Sequence, residues 1–171
     1  VVYSLGGWQP PFGIVLVEAM AAGGVTWLVV GIETVAAKLR KHGTSDLEAS
    51  LHDMLARAHD LGMMGQGNFI CGLDEDGPES FEQIYEFYDR SGLDGIMMGI
   101  LMPYPNTPLY DQLDREGRIF DTDWANYDCH HVVYRPRNMS IDQLIEGYID
   151  LYRNVRARES VPRTIFSGLA K

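Results

Sequence analysis

The stretch 67–106, GNFICGLDEDGPESFEQIYEFYDRSGLDGIMMGILMPYPN, holds a complete strand–helix–strand unit between turn residues. Residues 67–73 form an apolar run of strand length, and the polar residues 74–77, closed by a glycine, read as a loop. Pro78 suits a first helical position, where its missing N–H would have no partner anyway. Phe81, Ile84, Tyr85 and Tyr88 recur at helical spacing and predict one buried face, with Gly92 as the stop. Residues 96–101 are a second buried strand, ending at Met102-Pro103-Tyr104-Pro105-Asn106. Two apolar strands joined through a helix are expected to lie parallel in one sheet that the helix covers.

The same grammar extends outward. Residues 25–32 read as a buried strand. Ser45 and Glu48 fit a capping box, and Leu47, Leu51, Met54, Leu55 and Ala58 line one face of the helix that follows, up to Gly62. Residues 1–5 read as a strand, 6–11 as a turn, and 14–22 as a helix stopped by Gly23-Gly24. Thr107 and Pro108 predict the start of a helix to Glu116, with Gly117 as its end. Strands thus recur about every 30–40 residues, the spacing of βα units. Beyond Arg118 the pattern changes: 121–128 is polar and aromatic, 130–134 reads as a short edge strand, and 135–138 as a turn. Ser140 and Gln143 form a second capping box, opening a helix with Ile141, Leu144, Ile145, Tyr148, Tyr152 and Val155 inward. The expected organisation is α/β, with residues 1–121 as part of a (β/α) barrel or open doubly wound sheet and 122–171 as a mostly helical C-terminal extension. Both architectures carry function at the carboxyl ends of their strands.

Composition narrows the class. The 171 residues carry a formal net charge of −10, and the basic residues are scattered among acids, so no nucleic-acid partner is expected. Two cysteines, Cys71 and Cys129, are too few for a disulfide framework, a four-cysteine zinc site or an iron–sulfur cluster held by this chain alone. Reduced thiols and apolar runs far shorter than a bilayer span predict a cytoplasmic protein. The absence of an initiator Met reads as an excerpt or processed product.

The candidates at strand ends are few. Glu33 and Thr34 place a carboxylate and a hydroxyl where a ligand would sit, although Glu33 could equally pair with Lys38 or cap a helix. Gly72 permits close backbone approach. Asp74 and Asp76 lack the spacing of a calcium loop and read as solvated, helix-capping acids. In Cys129-His130-His131, adjacent side chains of an extended segment diverge, so no metal site is expected. Tyr85, Phe87 and Tyr88 read as helix core. Arg115, Arg118, Arg135 and Arg137 either meet an anion or lie on solvated faces, and their residue type favours the second.

Four strings in order, GIET at 31–34, FICGLDEDGPESFEQI at 69–84, ILMPYPNTPLYDQLDREGRI at 100–119 and DWANYDCHHVVYRPRNMS at 123–140, resemble the radical SAM proteins with a cobalamin-binding domain, of the hopanoid methylase type. The resemblance implies a partial (β/α) radical-SAM-type barrel, TIM-barrel-like, with S-adenosylmethionine across its strand ends. By that likeness Glu33 and Thr34 meet the methionine and ribose portions. Asn68, Ile70 and Gly72 lie on the adenine-side strand, and Met102 and Pro103 present backbone beside the adenine edge. Asn106 stands where the family has glycine, and asparagine tolerates a positive φ better than most residues. The family also implies a [4Fe–4S] cluster on a CxxxCxxC loop and a cobalamin with a histidine ligand. Neither motif occurs here, so both thiols read as structural and no metal ligand is assigned.

The leading expectation is therefore the later barrel half of a cobalamin-dependent methyltransferase acting on a small-molecule apolar substrate, completed by a missing N-terminal half or a partner chain. The alternative is a non-catalytic, degenerate barrel that binds or scaffolds, with homodimerisation through its exposed edge. An unrelated nucleotide or phosphate binder lacks both GxGxxG and GxxxxGK[ST].

Overall fold

The computed structural model describes residues 2–4, 17–35 and 44–159, with the side chains of 2–4, 44–48 and 159 not included. The turn at 6–11, the start of the helix at 14–22, Lys38, and the Ser45, Leu47 and Glu48 side chains lie outside the described residues. Four strands, β1 (Val2–Ser4), β2 (Trp27–Glu33), β3 (Met64–Cys71) and β4 (Gly95–Ile100), form one sheet in chain order. Every neighbouring pair is parallel. Residues 17–22 are helical, and the helices described in full are α1 (Thr44–Asp60), α2 (Ser80–Ser91), α3 (Pro108–Arg115) and α4 (Ile141–Glu159). Parallel strands taken in sequence order and separated by helices are the construction of a (β/α) barrel wall, so the expected α/β class holds.

The two faces of the sheet differ. Burial alternates along β3 without a break, so Gly65, Gly67, Phe69 and Cys71 face one side and Gln66, Asn68 and Ile70 the other. The first side is the core: Leu28, Val30, Ile32, Phe69, Met98 and Ile100 pack in one cluster with Leu51, Leu55 and Ala58 of α1 and Phe81, Ile84 and Tyr88 of α2. Leu144, Leu151 and Val155 of α4 join the same cluster. Each such side chain contributes on the order of 1.5–3 kcal/mol by leaving water. β3 begins at Met64, three residues before the predicted start. A side chain on Gly65 would overlap Leu55, and one on Gly67 would come within 2.7 Å of Leu93. Helix packing thus recruits a segment of low strand propensity.

Helix ends follow the predicted chemistry at several points. The Thr107 hydroxyl accepts from the Tyr110 N–H at 3.2 Å, with Pro108 opening α3. The Ser140 hydroxyl accepts from Gln143 N at 3.1 Å while Gln143 Oε1 accepts from Ser140 N at 2.9 Å, a reciprocal capping box. Gly92 closes α2 in the left-handed region. Pro78 is not helical: it lies in a turn, the N-cap is Glu79, and α2 starts at Ser80. In α4, Leu151 is buried and Ile145 is exposed, reversing the expectation for Ile145.

The predicted edge strand at 130–134 does not form. The N–H groups of His130 and His131 both turn back to Asp128 Oδ1, at 2.8 and 3.0 Å, and only an antiparallel bridge between Ile119 and Tyr134 remains. β4 is therefore the last described strand, yet the outer backbone groups of Met98 and the Ile100 N–H have partners. The Met98 carbonyl accepts from the hydroxyls of Tyr148 (3.0 Å) and Tyr152 (3.2 Å), Met98 N–H donates to Tyr152 Oη, and Ile100 N–H donates to the Cys129 carbonyl at 2.7 Å. Side-chain hydroxyls and one loop carbonyl cover this edge in place of another strand. No helix among the described residues is long and apolar enough to cross a membrane.

Candidate functional site

The face away from the helices is half-buried over most of its described residues, and register fixes its rows. Val29, Gln66 and Gly95 are partnered across one line, Gly31, Asn68 and Met97 across the next, and Ile70 with Gly99 across the third. Gly31 and Gly99 carry no side chain, so they leave low ground on either side of Asn68 and Ile70. Gln66 Nε2 donates to Asn68 Oδ1 at 3.0 Å, which holds the Asn68 amide with its own N–H groups free to donate. Met97 stands beside them, 54% exposed. The surface is thus an apolar floor with one oriented amide pair midway along β3, running toward the carboxyl strand ends where (β/α) proteins bind ligands.

Of the seven predicted residues, Asn68 lies within β3 and the other six at or just beyond the ends of three adjacent strands. Glu33 ends β2, exposed, with φ 67° and a register shift between Gly31 and Glu33. A non-glycine residue in the left-handed region is strained, and such strain clusters at binding sites. Thr34 follows it and donates its N–H to the Ile32 carbonyl at 2.8 Å. Asn68 and Ile70 lie on the face away from the helices, half-buried. Leu101 N–H reaches the Cys71 carbonyl at 2.9 Å, carrying the end of β4 alongside that of β3, so Met102 and Pro103 sit next to Gly72. Both are buried.

Gly72 differs from the other six: the space where its side chain would stand is occupied by the Tyr134 hydroxyl and by Leu144, and its φ is 89°. Its carbonyl accepts from the Tyr134 hydroxyl. The N–H groups of Gly72 and Leu73 both donate to Asp76 Oδ2 at 2.9 Å. Asp76 is therefore not a solvated helix cap; it is 3% exposed and burial raises its pKa, while the two backbone donors pull the other way. Asp74 is not a free acid either. Its carboxylate pairs with Arg118 at 2.7 Å and Arg137 at 3.3 Å, and both cations also pair with Glu116. The expected solvated face for Arg118 gives way to this network, because Arg118 also donates to the Arg135 carbonyl and lies over the Tyr134 ring.

The two thiols are on opposite sides of the sheet. Cys71 faces the core, and burial, reinforced by Asp76, pushes its pKa up to about 12. Cys129 meets the sheet at Gly99, on the opposite face, where a Gly99 side chain would come within 3.4 Å of its Cβ. Its Sγ is 3.2 Å from the Tyr104 hydroxyl, and this contact raises the Tyr104 pKa. Of its neighbours, His130 Nδ1 contacts the Tyr148 hydroxyl at 2.8 Å and His131 Nδ1 contacts Asp128 at 3.0 Å. Backbone donation from His130, with the His131 contacts, brings the Asp128 pKa down to about 2. A three-thiolate iron–sulfur site does not fit this chain, and its two thiols cannot converge on one metal through the sheet.

Sequence pattern alone does not place Gly31, Gln66, Met97, Gly99 and Cys129 on this face. Alternation counted back from Phe69 would have found Gln66; the others needed the register.

A parallel sheet in chain order with helices packed on one face defines a (β/α)-barrel segment. In fold the chain matches coproporphyrinogen III oxidase of Escherichia coli, a radical SAM enzyme, with a TM-score of 0.55 and 17% identity over 90% of this chain and 31% of that one. In sequence it is 33% identical over 90 residues to bacteriochlorophyllide d C-12(1)-methyltransferase of Chlorobaculum tepidum, covering 53% of this chain and 19% of the relative. It is 29% identical over 110 residues to hopanoid C-2 methylase of Rhodopseudomonas palustris, covering 63% and 21%. No protein-family model matches the chain. The chain spans about a fifth of the length of these two curated relatives. In sequence the chain thus resembles methyltransferases, and in fold a radical SAM enzyme.

Proposed function

We propose that this chain supplies the S-adenosylmethionine-binding strand ends of a cobalamin-dependent radical SAM methyltransferase acting on an apolar, polycyclic small molecule. The supporting observation is the face away from the helices: Asn68 and Ile70 stand between Gly31 and Gly99, next to Glu33, Thr34 and the backbone of Gly72, Met102 and Pro103. S-adenosylmethionine, when bound, supplies an activated methyl-bearing sulfonium. The chain's own part is to bind and orient it. The Asn68 amide donates to a ring nitrogen, Ile70 packs on the flat base, and the exposed Glu33 carboxylate accepts from ribose hydroxyls or the ammonium. A cluster and a cobalamin would be held by residues of a preceding segment or a partner chain, since CxxxCxxC is absent from these 171 residues. That partner would pair with β1, whose outer side no described residue takes up. The relatives' names, a bacteriochlorophyllide and a hopanoid methylase, support the substrate class.

Calorimetric titration of S-adenosylmethionine into the chain tests the reading. Saturable binding is expected, weakened about tenfold by Asn68→Ala through the lost donor. No saturable binding, or equal affinity in the variant, sinks it. A second reading, a non-catalytic barrel that binds without reacting or dimerises through β1, draws on the placement of Cys71 and Cys129 on opposite faces. It predicts the same binding, but no methyl transfer when the chain is combined with a cluster-bearing partner, and a dimer in sedimentation.

A further inference from the structure

We infer that Tyr134 and Asp76 are positioning residues for the Gly72 peptide, so that the region after α3 sets the geometry of the site; this rests on the reading of Gly72 as part of the S-adenosylmethionine site. Among the described strand-end loops, the one after β3 is gripped from the most distant part of the chain. Tyr134 donates to the Gly72 carbonyl and Asn138 Nδ2 to the Asp74 carbonyl at 2.7 Å, across 62 and 64 residues of sequence. Arg118 and Arg137 hold the Asp74 carboxylate at 2.7 and 3.3 Å. From within the loop, Asp76 takes the N–H groups of Gly72 and Leu73 at 2.9 Å each.

Tyr134 is 0% and Asp76 3% exposed, so water does not compete for these bonds. A buried carboxylate is costly unless its hydrogen bonds are made, and helix capping does not account for this one: the N-cap of α2 is Glu79, without a side-chain cap bond. What Asp76 does is fix two consecutive N–H groups. With the Gly72 carbonyl held by Tyr134, the peptides on both sides of Gly72 are fixed in rotation, at a φ of 89° and with the Tyr134 oxygen filling the side-chain space. The buried Gly72 peptide, its N–H and carbonyl both taken, presets the path of the chain out of β3, so a ligand packed on Ile70 and the end of β3 meets a fixed surface.

The test uses Tyr134→Phe and Asp76→Asn, both nearly isosteric, with surface Asn138→Ala as a milder third variant and Leu151→Ala as a core control remote from the loop. Amide exchange by NMR and S-adenosylmethionine titration are read together. Tyr134→Phe and Asp76→Asn are expected to speed exchange at Gly72 and Leu73 and to weaken binding roughly three- to tenfold. Asn138→Ala should move both readouts less, in the same direction. Leu151→Ala should lower the unfolding temperature yet leave affinity within about twofold. Unchanged exchange at Gly72 and Leu73 overturns the lock, whatever binding does. Faster exchange with wild-type affinity overturns the positioning role and leaves a structural one. Absent binding in the wild-type chain overturns the underlying site reading and the positioning role with it, while the exchange data still report on the lock separately.

Discussion

The two faces of the sheet share the same strands and hydrogen-bond ladder, but meet different demands. The helix-covered face is filled by Leu28, Val30, Ile32, Phe69, Met98 and Ile100, all below one-tenth exposed. The opposite face carries Val29, Gly31, Gln66, Asn68, Ile70, Met97 and Gly99, a mixture of glycines, amides and apolar side chains that is mostly half-buried. The first composition maximises burial; the second leaves room and directional donors. The difference teaches that stability and recognition are divided by side-chain parity, so substitutions two residues apart should act alike and neighbours should act differently.

The largest effect expected from this division is chemical. Cys71, with its pKa pushed up to about 12, should have about a thousandfold less thiolate than a free cysteine near neutral pH. Under native conditions iodoacetamide should label Cys129 alone, read by peptide mass, and equal labelling of both would break the comparison. In stability, Phe69→Ala should cost about 3–5 kcal/mol by chemical denaturation, whereas Asn68→Ala, one residue away on the other face, should stay within about 0.5 kcal/mol. Between these lies the covered edge. Replacing Tyr148 and Tyr152 together by Phe leaves the Met98 N–H and carbonyl without their described partners and should cost about 1–3 kcal/mol. Self-association of that double variant, absent in wild type, would sharpen the case that these hydroxyls protect the edge.

The smallest effect concerns the turn that brings Cys129 to the face away from the helices. The Asp128 pKa is depressed to about 2, so its contribution is present above the ordinary carboxylate value and lost as pH falls through the folded one. The His130 and His131 amide resonances should therefore shift between about pH 4 and pH 2, and Asp128→Asn should abolish the transition. Phe69 and the core face should show no transition in that range that survives this substitution.

Much of the architecture was legible in one dimension. Strand-length apolar runs between glycine and proline punctuation predicted β2, β3 and β4, and the caps at Thr107 and Ser140 form as their residue types require. The failures were of one kind. Pro78 and the segment 130–134 were read from propensity, yet Glu79 caps α2 and Asp128 takes the N–H groups a strand would need. Asp74, Asp76 and Arg118 were read as solvated because charged residues usually are. They are withdrawn from water here because partners distant in sequence complete their bonds.

By itself, then, the sequence determined the βα repeat, the caps at Thr107 and Ser140 and the likeness to the radical SAM methylases, all of which depend on spacing over a few residues or on ordered strings. Only the tertiary structure decided which face of the sheet the helices cover, that Cys71 and Cys129 lie on opposite sides of it, that tyrosines of α4 cover the edge of β4, and that Tyr134 meets Gly72. Those facts depend on register and on contacts across some sixty residues, and no local periodicity encodes a contact whose two halves are specified that far apart.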